Sequence, residues 1–226
     1  MKKGKQIHIS RSDIEGMEKI KRLNLINHIT GYKSANLIGT KSKQGYLNLS
    51  IVSSVVHLSS APALIGFIQR PTTVPRHTYT NVVETGVFTL NHVHEGLTDK
   101  AHYTSAKFGI KDSEFEHSGL KEEYLNGFPA PFVMESKVKL AVRYLSTYEI
   151  SESQTLFVVG SIESIYIQNS AMKANGQLDL TAVGTVAISG LNNYHRVDQL
   201  ASYAYARPGA FPTNLLQTIN MPDFVK

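Results

Sequence analysis

Arg70-Pro71, directly after an apolar run, and Arg76-His77-Thr78-Tyr79, at the start of a helical stretch, are residue types suited to holding a phosphate. An anion gains from helix N-terminal N–H groups and the helix dipole; arginine adds charge-assisted, bidentate bonds, and Thr78 supplies a hydroxyl. The same residues also make an ordinary helix cap flanked by solvated arginines. A second group, Asn48, Ser50, Ser53 and Ser54, sets amides and hydroxyls into an otherwise apolar run. They suit ligand contact, or bonds to buried backbone groups. In the third, Ala101-His102-Tyr103-Thr104-Ser105-Ala106-Lys107-Phe108, hydroxyls, a cation and aromatic rings crowd together. That mixture fits a phosphate or a ring, and equally a surface helix with Phe108 in the core. His92-Val93-His94, with Glu95 beside them, would put two imidazoles on one face of an extended segment. No third ligand at a metal-binding spacing accompanies them, so polar residues at a strand end are expected there and no metal site.

Other chemistry is excluded by what is absent. The chain lacks Gly-x-Gly-x-x-Gly, Gly-x-x-x-x-Gly-Lys-Ser/Thr, His-Glu-x-x-His and Gly-x-Ser-x-Gly, which removes support for dinucleotide-fold, P-loop, zincin and hydrolase-elbow readings. Zero cysteines rule out a disulfide framework, thiolate metal sites and cysteine nucleophiles. The 226 residues suffice for one large core with appended segments. Lys and Arg number 23 against 18 Asp and Glu, a net +5 to which Lys2, Lys3 and Lys5 contribute. The cations are scattered and often neighbour acids, as in Lys121-Glu122-Glu123, which argues for solubility and against nucleic-acid binding. No apolar stretch suits a secretory signal or a membrane span, so a cytoplasmic protein without a membrane partner is expected.

The elements that must position these clusters are mainly strands. Ser12-Asp13-Ile14-Glu15 fits a capping box, and Met17, Ile20, Leu23 and Ile26 recur at three-residue spacing, predicting an amphipathic helix that ends near Gly31. Ala35 to Thr40, a polar Lys41 to Gly45 and the apolar Tyr46 to Val56 read as a hairpin. Further strands are expected at Ala63 to Gln69, Val87 to Asn91, Lys137 to Tyr148, Thr155 to Gln168 and Thr181 to Ser189, all rich in Val, Ile, Thr and Tyr. Short helices are expected at His77 to Glu84, around Ala101 to Phe108 and at Lys121 to Leu125. Polar turns at Ile150 to Gln154 and Lys173 to Gln177 suit antiparallel pairing, and many antiparallel strands in one domain remove their edges by closing. The expected architecture is a mainly β, antiparallel, closed or half-closed barrel with a few short helices. From Gly190 onward Pro208, Pro212 and Pro222 interrupt periodicity, predicting an extended C-terminal arm. Its Tyr203, Tyr205, Phe211 and Leu215 would expose apolar surface unless packed on a neighbouring subunit. The organisation is thus an N-terminal tail and helix (1–31), a barrel (32–189) and an arm at a dimer interface (190–226).

Taken in order, these segments resemble the flavin reductase-like family, which has the FMN-binding split β-barrel fold. The resemblance is carried by Asn36-Leu37-Ile38-Gly39-Thr40, Gly45 to Ser54, Ser60-Ala61-Pro62-Ala63-Leu64-Ile65-Gly66, Arg70-Pro71, His77-Thr78-Tyr79, Glu84 to Asn91, Thr104 to Phe108, Gly190-Leu191-Asn192-Asn193-Tyr194 and Tyr205-Ala206-Arg207-Pro208. It implies FMN held noncovalently at a homodimer interface, with hydride from NADH or NADPH, and reduced flavin passing as free flavin or to a flavin-dependent oxygenase. It also implies that Arg70, Thr78, Ser105 and Lys107 hold the phosphate end, while Asn48, Ser50, Ser53 and Ser54 line the ribityl chain and ring edge. Many relatives carry Pro-Arg-Pro before the first barrel strand where this chain has Lys33-Ser34-Ala35, so Lys33 either replaces a charge or leaves that contact out. Flavin chemistry needs no side-chain nucleophile, and no catalytic residue is assigned; His102 and His195 are candidates to donate a proton or stack on nicotinamide. A noncatalytic FMN-binding protein, for storage or sensing, is the alternative.

Overall fold

The computed structural model of the protein describes residues 6–216. Lys2, Lys3 and Lys5 and the end of the arm with Pro222 lie outside the described residues. Two short helices, α1 (Arg11–Gly16) and α2 (Lys19–His28), come first. Strands β1 (Lys33–Ser34), β2 (Asn36–Lys41), β3 (Leu47–Val52), β4 (Val56–Ser60) and β5 (Ala63–Gln69) lead to α3 (His77–Thr85) and β6 (Val87–His92). Helices α4 (Thr98–Tyr103) and α5 (Glu114–Ser118) precede β7 (Glu122–Glu123), β8 (Phe132–Val133), the long β9 (Val138–Ile150) and β10 (Thr155–Ile167), then β11 (Ala187–Ser189) and β12 (Asn193–His195).

Seven strands form one antiparallel sheet in the order β3-β2-β6-β9-β10-β5-β4. Its end strands β3 and β4 are not paired, so the barrel is split. Alternation along β3 explains how the sheet faces two cores: Leu47, Leu49 and Ile51 turn to one with Leu37, Val93 and Phe115, and Val52 to the other with Ile38, Phe67, Val82 and Phe88. Gly86, left-handed at φ 73°, ends α3 and lets the chain turn straight into β6. Gly39 on β2 is required by a close approach: a Cβ there would lie 2.2 Å from the Pro131 carbonyl oxygen.

Several expected elements differ. The apolar stretch expected as one strand, Tyr46 to Val56, breaks after Val52, because Ser54 bonds instead to β5: its Oγ accepts from Ile68 N at 3.0 Å and donates to Ile68 O at 3.2 Å. The capping box uses Ser10 and Asp13, not Ser12 and Glu15. The predicted single helix breaks at Met17, and no residue of α1 or α2 is buried. Lys121 to Leu125 is not helical, since Glu122 and Glu123 pair with Val133 and Phe132. Thr181 to Ser189 is strand only from Ala187, because a turn closes Thr181 to Gly184 through Gly184 N and Thr181 O at 2.9 Å. The chain divides into a unit through Arg196 and a second from Val197. In the second, Tyr203 and Arg207 bridge to Asn214 and Ala210, and Tyr205 and Phe211 are fully exposed.

Candidate functional site

The three polar segments singled out above converge on β3. Asn48 is buried on its face toward α3, and its amide donates to Thr78 Oγ1 at 2.9 Å and to Thr40 Oγ1 at 3.2 Å. Asn81, one turn further along α3, also donates to Thr40 Oγ1, at 3.1 Å. A buried polar quartet thereby fastens the first turn of α3 to the β2–β3 hairpin. From the third segment, Thr104 Oγ1 accepts from Ile51 N at 3.0 Å and donates to Ala101 O at 2.8 Å, tying the end of α4 to β3. The Ser54 bonds to Ile68 bring the end of β3 against β5, two residues before Arg70.

These bonds decide what each group still offers. Both amide hydrogens of Asn48 are engaged, leaving its carbonyl oxygen as an acceptor. Ser54 retains only a lone pair. Such acceptors match ligand hydroxyls or a ring N–H, not a phosphate. Thr78 is the opposite case. Its oxygen accepts from Asn48, so its single hydrogen is directed to some other acceptor.

Thr78 stands in the first turn of α3, whose N-cap residue Arg76 makes no side-chain cap bond. The N–H groups there keep their pull on an anion. Arg76 Nε donates to Pro71 O at 3.1 Å, closing the loop between β5 and α3. Arg70, Ser105 and Lys107 are exposed, and Ser50 and Ser53 are half-buried. The Thr78 hydroxyl and the uncapped N-terminus of α3 thus stand together, while acceptors line β3. Removing the Ser54 hydroxyl strands Ile68 N–H and C=O: Ser54→Ala is expected to cost about 1–2 kcal/mol of stability in urea unfolding.

The other candidates are placed elsewhere. Lys33 Nζ donates to the carbonyls of Asn27 at 3.2 Å and Gly190 at 2.9 Å, so its charge holds α2 to the turn before β12. His94 accepts at Nδ1 from Gly96 N and donates from Nε2 to Glu135 O, a neutral imidazole with both nitrogens engaged. His92 is half-buried with Nδ1 shielded and unpartnered, and desolvation holds its pKa down at about 4. Among the described residues, no three His, Asp or Glu side chains are grouped to hold a metal. His195 bonds Ser189 Oγ at 2.8 Å and packs edge-on to Tyr32. His102 Nδ1 lies 3.3 Å from the Tyr194 hydroxyl, whose pKa burial raises to about 12.

Two residues at β3 escaped sequence reasoning. Thr40 lies opposite Asn48 in the hairpin register, two residues beyond the pairing with Tyr46 that a turn at Lys41 to Gly45 predicts. Glu114, whose Oε2 accepts from Leu49 N at 2.9 Å, left no such signal.

Residues 32–183 match the sequence model of the family described as Flavin reductase like domain. The structure is similar, with TM-score 0.86 and 46% identity over 89% of this chain and 100% of the other, to a split-barrel domain protein of Shewanella frigidimarina NCIMB 400 proposed to be a flavin reductase. It shares its fold with nitrilotriacetate monooxygenase component B from Bacillus cereus, at TM-score 0.77 and 16% identity over 88% and 99% of the two chains. The FMN-binding protein of Thermus thermophilus shares it too, at TM-score 0.62 and 14% identity over 73% and 86%.

Proposed function

The chain belongs to the flavin reductase-like family, and from that membership we propose that it binds FMN noncovalently and transfers hydride from NADH or NADPH to flavin. The observation that carries the reading is the meeting of three polar segments on β3, with the Asn48 to Thr78 bond seating a hydroxyl in the first turn of the uncapped α3. The residues present fit FMN in kind: an uncapped helix start with the Thr78 hydroxyl suits its phosphate, and the amide and hydroxyl groups along β3 suit its ribityl chain and ring edge.

When bound, FMN would supply the two-electron chemistry. Arg70, Lys107, Ser105, Thr78 and the first N–H groups of α3 would bind its phosphate. The Asn48 carbonyl, the remaining Ser54 lone pair and the Ser50 and Ser53 hydroxyls would accept from or donate to the ribityl chain and ring edge. Orientation of the hydride donor over this wall, with hydrogen bonds that favour the reduced ring, then supplies the rate enhancement without a side-chain nucleophile.

A homodimer would cover exposed apolar surface of the chain. Exposed Leu145 and Tyr148 on the long hairpin, and Tyr205 and Phe211 on the arm, are apolar surface of the kind a second copy covers. The fold shared with a monooxygenase component supports a separate oxygenase as recipient of reduced flavin. Among the described residues no helix is long and apolar enough to cross a membrane, which accords with a cytoplasmic site of action.

An anaerobic absorbance scan of the FMN-loaded protein tests the reading: NADH or NADPH should bleach the oxidised flavin bands within turnover times. A protein that binds FMN and is bleached by neither coenzyme is a storage or sensing protein. Thr78→Val removes the hydroxyl and strands the buried Asn48 amide that bonds it; it is expected to weaken FMN binding by about 1 kcal/mol in a fluorescence titration and to cost about 1–2 kcal/mol of stability in urea unfolding. Unchanged affinity would remove Thr78 from the phosphate end.

A further inference from the structure

β3 is an end strand of the seven-stranded sheet, and β2 pairs along one side of it. The N–H groups of Leu49 and Ile51 point to the other side, beneath α4 and α5. A buried edge N–H without an acceptor is costly, and a strand held on one side only is free to shift. Here two side chains stand in for a neighbouring strand: Glu114 Oε2 takes the Leu49 N–H at 2.9 Å, and Thr104 Oγ1 takes the Ile51 N–H at 3.0 Å. Glu114, 7% exposed, opens α5. Its neighbour Phe115 packs in the same core as Leu49 and Leu37. Phe115 thus fixes the backbone from which the Glu114 carboxyl reaches β3. Asn48 and Ser50 flank Leu49 on the strand and turn to the opposite face.

We infer that Glu114 is a positioning residue for the flavin wall: it clamps the free edge of β3 from behind, so that Asn48 and Ser50 keep their places, and it does so through reach and acceptor geometry rather than charge. The inference rests on β3 being the flavin wall. Burial pushes the Glu114 carboxyl above the ordinary carboxylate range, so the charge itself is a cost to the fold. An uncharged acceptor of equal length would hold Leu49 as well. Glutamine keeps length and acceptor and drops the charge; aspartate keeps the charge and loses one methylene of reach.

The pair Glu114→Gln and Glu114→Asp separates the two properties in the full-length protein. Amide exchange at Leu49 is followed without flavin, and FMN affinity is read by fluorescence titration. Glu114→Gln should exchange as the parent does and bind FMN within about twofold of it. Glu114→Asp should exchange at Leu49 about tenfold faster and bind FMN about tenfold more weakly, the scale of one lost hydrogen bond. Amides pairing β5 with β10 should be unaffected. A Glu114→Asp protein that exchanges and binds like the parent overturns the clamp. Glu114→Gln impaired as much as Glu114→Asp overturns the claim that reach matters and not charge. Faster exchange with unchanged FMN affinity overturns the link to the site. A parent protein that binds no FMN overturns the flavin reading instead, and the exchange rates then decide the clamp alone.

Discussion

Arg70→Ala is expected to weaken FMN binding by about 1.5–3 kcal/mol, the scale of a hydrogen bond to a charged group. Arg70 is exposed immediately after β5, and the Ser54 bonds to Ile68 hold that strand end against the end of β3. Arg70 therefore follows a strand end held beside β3 and opens the loop that leads to the uncapped α3, where an anion gains from the N–H groups of the first turn. Because the side chain is exposed, its removal should leave the melting temperature in place while affinity falls about ten- to hundredfold. Titration at several salt concentrations sharpens the test. Loss of one phosphate contact should flatten the salt dependence of binding as well as weaken it. Equal affinity and equal salt slope in both proteins would take Arg70 out of the site.

Acid should destabilise the fold through His92, by an amount on the order of 3 kcal/mol at pH 4. The residue is half-buried in the last position of β6 with Nδ1 shielded and unpartnered, and desolvation lowers its pKa from the ordinary 6.5 to about 4. Above pH 6.5 the imidazole is neutral whether the chain is folded or not, so it contributes no pH dependence there. Between pH 6.5 and 4 the unfolded chain takes up a proton that the folded one refuses, and stability falls as the pH is lowered. Below about pH 4 the folded ring protonates too and the slope from this residue ends. His92→Leu removes the titrating group. The difference in urea unfolding free energy between parent and variant should shift steadily in the variant's favour across that interval. Parallel stability curves would show that His92 is not the group responsible.

How far the sequence could be read depended on whether a segment's local pattern and its tertiary partners agreed. β5 occupies Ala63–Gln69, the bounds its Ile, Leu and Phe content predicts, and α3 runs one residue past its expected end. In β5 propensity and burial point the same way; α3 is a run of weak helix formers held helical by the burial of Thr78, Asn81 and Val82 on one face. Lys121 to Leu125 has the composition of a helix, yet Glu122 and Glu123 pair with Phe132 and Val133, which are buried in the core. The pairing outweighs a propensity of a few tenths of a kcal/mol per residue. The helix found nearby, α5, begins at Glu114 because that carboxyl and Phe115 serve β3 and the core behind it, a demand no local pattern announces.

Strand patterning and turn residues are local, and they alone predicted a mainly β, antiparallel barrel; the ordered run of short motifs carried the resemblance to the flavin reductase-like family and its split barrel. The chemistry of the candidate site was partly present in the same way, as residue types. Which of those residues retain a donor or acceptor for a ligand was settled only by tertiary structure. The bonds that decide it join Asn48 to Thr78, Ile51 to Thr104 and Leu49 to Glu114 across 30, 53 and 65 residues of chain. Hydrogen-bond capacity is consumed by whatever is nearest in space, and nearness at those separations is a property of the folded sheet alone.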